Sequence, residues 1–229
     1  AVSKPAHAVG VDLGTTHTAM ATVALGAEAQ PEVFAVPQLV APGQVEARPL
    51  LPSFVYFAHQ SEAALALPWD PERSFAVGEH ARTRGVDAPR RLVGSAKSWL
   101  SHTGIDRRAG VLPLGAPEDV ERISPVEASW RYLDHLVEAW EATRARGDPA
   151  LALAAQEVIL TVPASFDAAA RDLRRGRPPQ LLHDLDDGPV CDSLSVGQAA
   201  AANDRRLERR QSLVDEPRPL LVLVLEGGL

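Results

Sequence analysis

An acid stands inside an apolar run at Asp12, and Gly14, Thr15 and Thr16 follow it at once. A strand that only had to pack would need none of these. The order of residue types suits a phosphate. Two strands joined by a Gly-Thr-Thr turn can aim backbone N–H groups and hydroxyls at one spot without a P-loop. Gly14 has no side chain to block the approach of a phosphate to the backbone. An acid at Asp12 would repel phosphate directly, so it makes sense there only with Mg²⁺ or its water shell between them. The alternative reading is a strand that ends in a polar hairpin turn. Neither the P-loop pattern nor GxGxxG occurs in the chain.

A second group of suitable type lies at Lys97. A lysine near a terminal phosphate can hold an attacking water and neutralise developing charge. The alternative is a surface lysine on an exposed helix face. The chain holds 23 basic residues among Lys and Arg, yet Lys4 and Lys97 are its only lysines, so a lysine inside the chain calls for a reason. His17, His102 and His135 are spaced too irregularly for a metal site and read as structural or surface groups. Trp99, Trp130 and Trp140 read as core residues.

The elements that must position these groups are legible from pattern. Val9, Val11 and Leu13 alternate with Gly10, Asp12 and Gly14, which predicts a strand with one packed and one open face. Residues 18–25 predict its hairpin partner. Val33–Val36 reads as a third short strand, 41–53 as turn-rich, 53–57 as a strand, 75–78 as a short strand and 79–85 as the start of a helix. Residues 88–101 suit a helix that aligns Leu92, Ala96, Trp99 and Leu100, weakened by Gly94. Residues 102–122 read as a loop or small hairpin. Ser124, Pro125 and Glu127 form the start of the clearest helix, with a cap, a proline at the first position and a capping box. Its predicted apolar stripe is Val126, Trp130, Leu133, Val137 and Trp140. Glu157–Val162 reads as a buried strand, and Ser165 as the cap of a following helix. From Arg174 the pattern changes to proline- and arginine-rich sequence with no clean period, ending in an apolar run.

Bulk composition narrows the classes. The chain has 229 residues, net charge −7 and a pI near 5.5. An acidic surface is a poor general binder of nucleic acid or anionic membrane. No apolar run is long enough to span a bilayer, and the first ten residues do not read as a secretory leader. The single cysteine, Cys191, excludes an internal disulfide. These readings predict a cytoplasmic protein with no nucleic-acid or membrane partner.

Several stretches, taken together and in order, resemble the Hsp70 (DnaK-like) chaperone family. VGVDLGTTHTAMATV resembles its first phosphate motif, and RPLLPSFVYF the segment near T-P-S-V-V-x-F. FAVGEHA resembles its V-G-x-x-A stretch, and RRLVGSAKSWLSH the segment that carries the family's catalytic lysine. EVILTVPASFDAAARDL resembles V-I-T-V-P-A-Y-F with its helix, and ISPVEASWRYLDHLVEAW fits the helix before it. The AKSWL variant suggests an atypical bacterial branch. The resemblance covers about residues 8–173. It implies an α/β fold, an incomplete actin-like ATPase (ribonuclease-H-like) lobe with a mixed, five-stranded central sheet. It also implies an N-terminal lobe over 1–173, with a subdomain inserted over about 30–120, and a divergent tail over 174–229. The implied cofactors are ATP or ADP with Mg²⁺. Asp12 would hold the metal through water, Gly14, Thr15 and Thr16 would cradle phosphates, and Lys97 would orient the hydrolytic water.

The chain also departs from the family pattern. Glu216, before Pro217, is the one candidate for the family's functional glutamate, and it lies much farther from Pro163 than the family spacing. The second phosphate motif, the adenosine segment and a peptide-binding domain are not found in the sequence. A truncation or frameshift near residue 174 is the expected cause. The expected function is that of an Hsp70-like ATP-binding chaperone fragment with poor or no hydrolysis. Co-chaperones are expected only of an intact relative, which would couple ATP hydrolysis to protein folding. An actin-like phosphotransferase such as a sugar kinase, or a non-catalytic fragment, is the alternative.

Overall fold

A computed structural model describes residues 4–26, 28–100, 102 and 104–161. Strand β1 (His7–Leu13) runs to the Gly-Thr-Thr turn, and β2 (His17–Ala24) returns from it antiparallel, with Leu13 opposite Thr18 and Asp12 opposite Ala19. The predicted alternation holds over β1. Val9, Val11 and Leu13 are buried, while Gly10 and Asp12 are exposed.

Two short strands, β3 (Glu32–Val33) and β6 (Leu51–Pro52), pair with β2, and β10 (Glu157–Thr161) lies parallel to β1 on its other side. The described residues therefore build a mixed five-stranded sheet. Two smaller sheets complete the β-structure. Strands β4 (Val36–Ala41) and β5 (Gln44–Arg48) form a hairpin, and β7 (Phe54–Phe57) stands between β8 (Phe75–Val77) and β9 (Leu92–Gly94). No described helix is long and apolar enough to cross a membrane.

The segment read as turn-rich thus holds β5 and β6. The reason is Pro42-Gly43. Proline pre-sets the first turn position and Gly43 takes φ 71°, so the pair makes a tight reversal between β4 and β5 rather than an open loop. The third strand also begins and ends earlier than expected, at Glu32–Val33, and Val36 already belongs to β4.

Residues 88–101 are not one helix. Pro89 keeps Ala88 out of the helical region (φ −133°, ψ 64°), and Leu92–Gly94 pairs with β7 as β9. Pro89–Arg91 makes a single 3₁₀ turn, and only α2 (Ala96–Leu100) is α-helical, after Ser95 at φ 52°. Periodicity lost to pairing here. The free edge of β7 offers backbone partners that a helix over the same residues would leave unused. Before it, α1 (Glu79–Asp87) follows β8 as expected. Its first turn is capped from a distance, since Gln38 Oε1 accepts from the Glu79 N–H at 2.9 Å.

Helix α3 (Pro125–Trp140) starts at the predicted cap and proline, while the Glu127 carboxylate accepts from Arg131 Nη2 at 2.8 Å. Ser124 accepts from the Glu127 N–H at 3.0 Å, with Pro125 at the first position. Its deepest face is not the predicted one. Ala128, Ser129, Tyr132, His135, Leu136, Ala139 and Trp140 are buried, while Val126, Trp130, Leu133 and Val137 are half-buried along the flank. Small residues let the helix come close, and the polar ones have partners. Ser129 Oγ donates to the Pro125 carbonyl at 2.9 Å and the Tyr132 hydroxyl to the Ser53 carbonyl at 2.9 Å. Val9, Val11, Leu13 and Met20 share one core with Tyr132, Leu136 and Trp140.

His135 lies in that core between Pro37 and Arg73. Its Nε2 is 2.9 Å from the Pro37 carbonyl, and Arg73 Nη1 is 3.4 Å from its Nδ1. Arg73 also pairs with Asp70 at 2.7 Å and with Glu138. Burial, with the Arg73 charge beside it, pushes the imidazole down to about 4. The unfolded chain then binds the His135 proton more tightly. Stability is full above about pH 6.5 and falls as pH drops toward 4, by about 3 kcal/mol. His135→Gln can keep both hydrogen bonds without titrating. Urea melts from pH 7 to 4 should show this loss in the native chain and a flatter profile in the variant. Burial opposes ionisation of Glu62, but the His59 N–H, Tyr56 and Arg84 hold it at about 2. Its own contribution is therefore lost below about pH 4.5, as pH falls toward 2.

Candidate functional site

The turn after β1 gathers groups from three distant stretches, at Ser53, Lys97 and Thr161. Asp12 leaves the sheet on its open face. Parallel register places Thr161 beside it, and Thr161 Oγ1 lies 2.9 Å from Asp12 Oδ1 and 3.3 Å from the Val11 carbonyl. The carboxylate is thus oriented from β10. Thr15, Thr16 and His17 are exposed, and His17 Nδ1 lies 3.2 Å from Thr16 Oγ1.

The carbonyls of the turn are engaged from the protein side. Asp12 O accepts from the Gly14 N–H at 3.1 Å, and Leu13 O accepts from the Lys97 ammonium. Gly14 O accepts from Ser53 Oγ at 2.9 Å, and Thr16 O from the Ser53 N–H at 2.9 Å. Thr18 Oγ1 lies 3.2 Å from Ser53 Oγ. With these acceptors held inward, the exposed rim carries the carboxylate of Asp12 and the hydroxyls of Thr15 and Thr16. A rim of this kind suits phosphate oxygens together with a water-shelled cation.

Lys97 is no surface lysine. It is buried in α2 and reaches the end of β1. Burial lowers its pKa, and the Asp12 charge acts in the opposite direction. A partly desolvated ammonium beside a phosphate-type turn is worth more electrostatically than one in water.

The structure brings Asp12, Gly14, Thr15, Thr16 and Lys97 together. Glu216 and Ser165 lie outside the described residues. Sequence reasoning missed Ser53 and Thr161 as parts of the site. Each had a signal, a lone hydroxyl at the start or end of an apolar strand that finishes next to Asp12 or the turn. His17 stands on the turn itself, beside Thr16, whereas Trp99 and His135 sit apart from the site chemistry. Trp99 packs on the core and stacks on His102 with centroids 5.7 Å apart, and His135 is locked in the core.

No family model matches the chain. It is 32% identical over 176 residues to the chaperone protein HscA of Pectobacterium atrosepticum, covering 72% of this chain and 24% of that protein. HscA of Cronobacter sakazakii is 32% identical over 178 residues, with the same two shares. An HscA homolog of Acinetobacter baumannii is 30% identical over 178 residues, 73% of this chain and 24% of its own length. HscA is an Hsp70-family chaperone. Over 72% of its length the chain is thus similar to part of an Hsp70-family chaperone. It spans about a quarter of the length of the curated relatives it matches.

Proposed function

We propose that this Hsp70-type chain binds the phosphates of ATP or ADP, with Mg²⁺, at the turn between β1 and β2. On this reading residues 1–173 form the N-terminal lobe of an actin-like (ribonuclease-H-like) nucleotide-binding domain, with about 30–120 as an inserted subdomain. On the same reading residues 174–229 are a divergent tail. The intact relative would couple ATP hydrolysis to protein folding, with co-chaperones as its partners, in the cytoplasm.

One observation carries the reading. Lys97 is buried against the carbonyl of Leu13, at the turn whose exposed rim holds Asp12, Thr15 and Thr16. The chemistry of these groups fits a magnesium-bound phosphate. Asp12 would hold the water shell of the cation, in the orientation Thr161 gives its carboxylate. Thr15 and Thr16 would donate to phosphate oxygens. Lys97 would neutralise charge on the terminal phosphate and orient a water there. The metal, when bound, supplies charge neutralisation across the phosphates.

Calorimetric titration with Mg·ATP and Mg·ADP tests the reading. The 229-residue chain is expected to bind in the micromolar range, and Asp12→Asn to weaken binding by roughly tenfold or more. A folded, monomeric chain that binds neither nucleotide would overturn it.

A further inference from the structure

We propose that Ser53 is the positioning residue of the phosphate turn, a role that rests on the phosphate-binding reading of that turn. The residue is fully buried and makes two hydrogen bonds to the turn. Its hydroxyl donates to Gly14 O and its N–H donates to Thr16 O, both at 2.9 Å. Because that hydroxyl proton is committed to Gly14, Thr18 Oγ1 is the donor in its 3.2 Å contact with Ser53 Oγ. The Tyr132 hydroxyl donates to the Ser53 carbonyl at 2.9 Å, so the clamp is anchored in α3.

Peptide geometry turns these bonds into ligand geometry. In a trans peptide the C=O and the N–H of the next residue point in opposite directions. Holding Gly14 O toward Ser53 therefore turns the Thr15 N–H away from Ser53, and holding Thr16 O does the same for the His17 N–H. If either peptide flipped, a carbonyl oxygen would face the anion in place of a donor. Ser53 itself touches no phosphate. It fixes which pole of two peptide dipoles the phosphate meets, and the ligand class is a terminal di- or triphosphate with its cation.

The test uses the whole ¹⁵N-labelled chain and reads two things. Amide order parameters at Thr15 and His17 report the turn with no ligand present, and Mg·ADP titration reports the site. In the native chain the two amides should be as rigid as β1, with S² near ~0.85. Ser53→Ala keeps the backbone N–H that donates to Thr16 O, so it should drop Thr15 below about 0.6, leave His17 and β7 rigid, and weaken Mg·ADP at least tenfold. Ser53→Thr, which retains the hydroxyl, should restore both. The proposal is overturned if Ser53→Ala keeps native order and affinity, or if Ser53→Thr behaves like Ser53→Ala. Should Ser53→Ala not fold, Ser53→Cys replaces it. A thiol is a weak donor, so the Thr15 amide should loosen, and native order there overturns the proposal. A native chain with a rigid turn and no affinity for Mg·ADP would sink the phosphate reading, and the order parameters would then decide on Ser53 by themselves.

Discussion

Gly14→Ala is expected to cost the folded chain about 3 kcal/mol and to abolish Mg·ATP binding. A Cβ at Gly14 would overlap the His17 carbonyl oxygen and stand 3.1 Å from its carbon. Both are backbone atoms of β2, so no side chain can swing aside. Nor can the turn move freely. Leu13 is in register with Thr18, and the carbonyls of Leu13, Gly14 and Thr16 are held by Lys97 and Ser53. Relief requires opening the hairpin or breaking that clamp, and each misplaces Thr15 and Thr16. The expected fall in melting temperature is roughly 10 °C. Gly10→Ala is the control, because Gly10 lies in the same strand and a Cβ there meets nothing within 4 Å. It should melt within a few degrees of the native chain. A Gly14→Ala protein that melts and binds like the native one would refute the steric argument.

What was legible in the sequence divides by the range of the interaction that decides it. Alternation across Val9–Leu13 and the capped start at Ser124-Pro125 are local, and both elements appear where the pattern puts them. The fate of Leu92–Gly94 was not local. It depends on an open edge of β7, nearly forty residues earlier in the chain. The buried face of α3 was misread for another reason. Tyr132 and His135 look polar in a hydrophobic pattern, yet they reach the Ser53 and Pro37 carbonyls and so can be buried at little cost. The site divides in the same way. Asp12, Gly14, Thr15 and Thr16 were visible because they are contiguous, and Lys97 because lysine is scarce in this chain. Ser53 and Thr161 showed only as lone hydroxyls beside apolar strands, and what they touch is set by long-range pairing that the order of residues does not display.

Lys97→Ala is the second large effect, about 3 kcal/mol of lost stability. It removes a buried four-carbon stem and leaves the Leu13 carbonyl without its donor, and the lost desolvation penalty of the ammonium offsets part of both. Lys97→Met separates these contributions. Methionine fills most of the volume, so the orphaned carbonyl remains and the loss should shrink to about 1 kcal/mol. Alkaline pH gives an independent check. Burial places the folded pKa of Lys97 below the ordinary 10.5. Between those two values the unfolded chain holds the proton more firmly than the folded one, so this residue makes stability rise with pH. Tyr56, raised to about 12 chiefly by burial, and Tyr132, raised further by the same cause, pull the other way above pH 10. They do so in the native chain and the variant alike. The difference between native and Lys97→Met in urea melts across that window therefore isolates Lys97, and it should grow in favour of the native chain as pH rises. A difference that stays flat would mean that the ammonium is as well solvated as a surface lysine. The electrostatic case for Lys97 at the phosphate turn would then lose its main support.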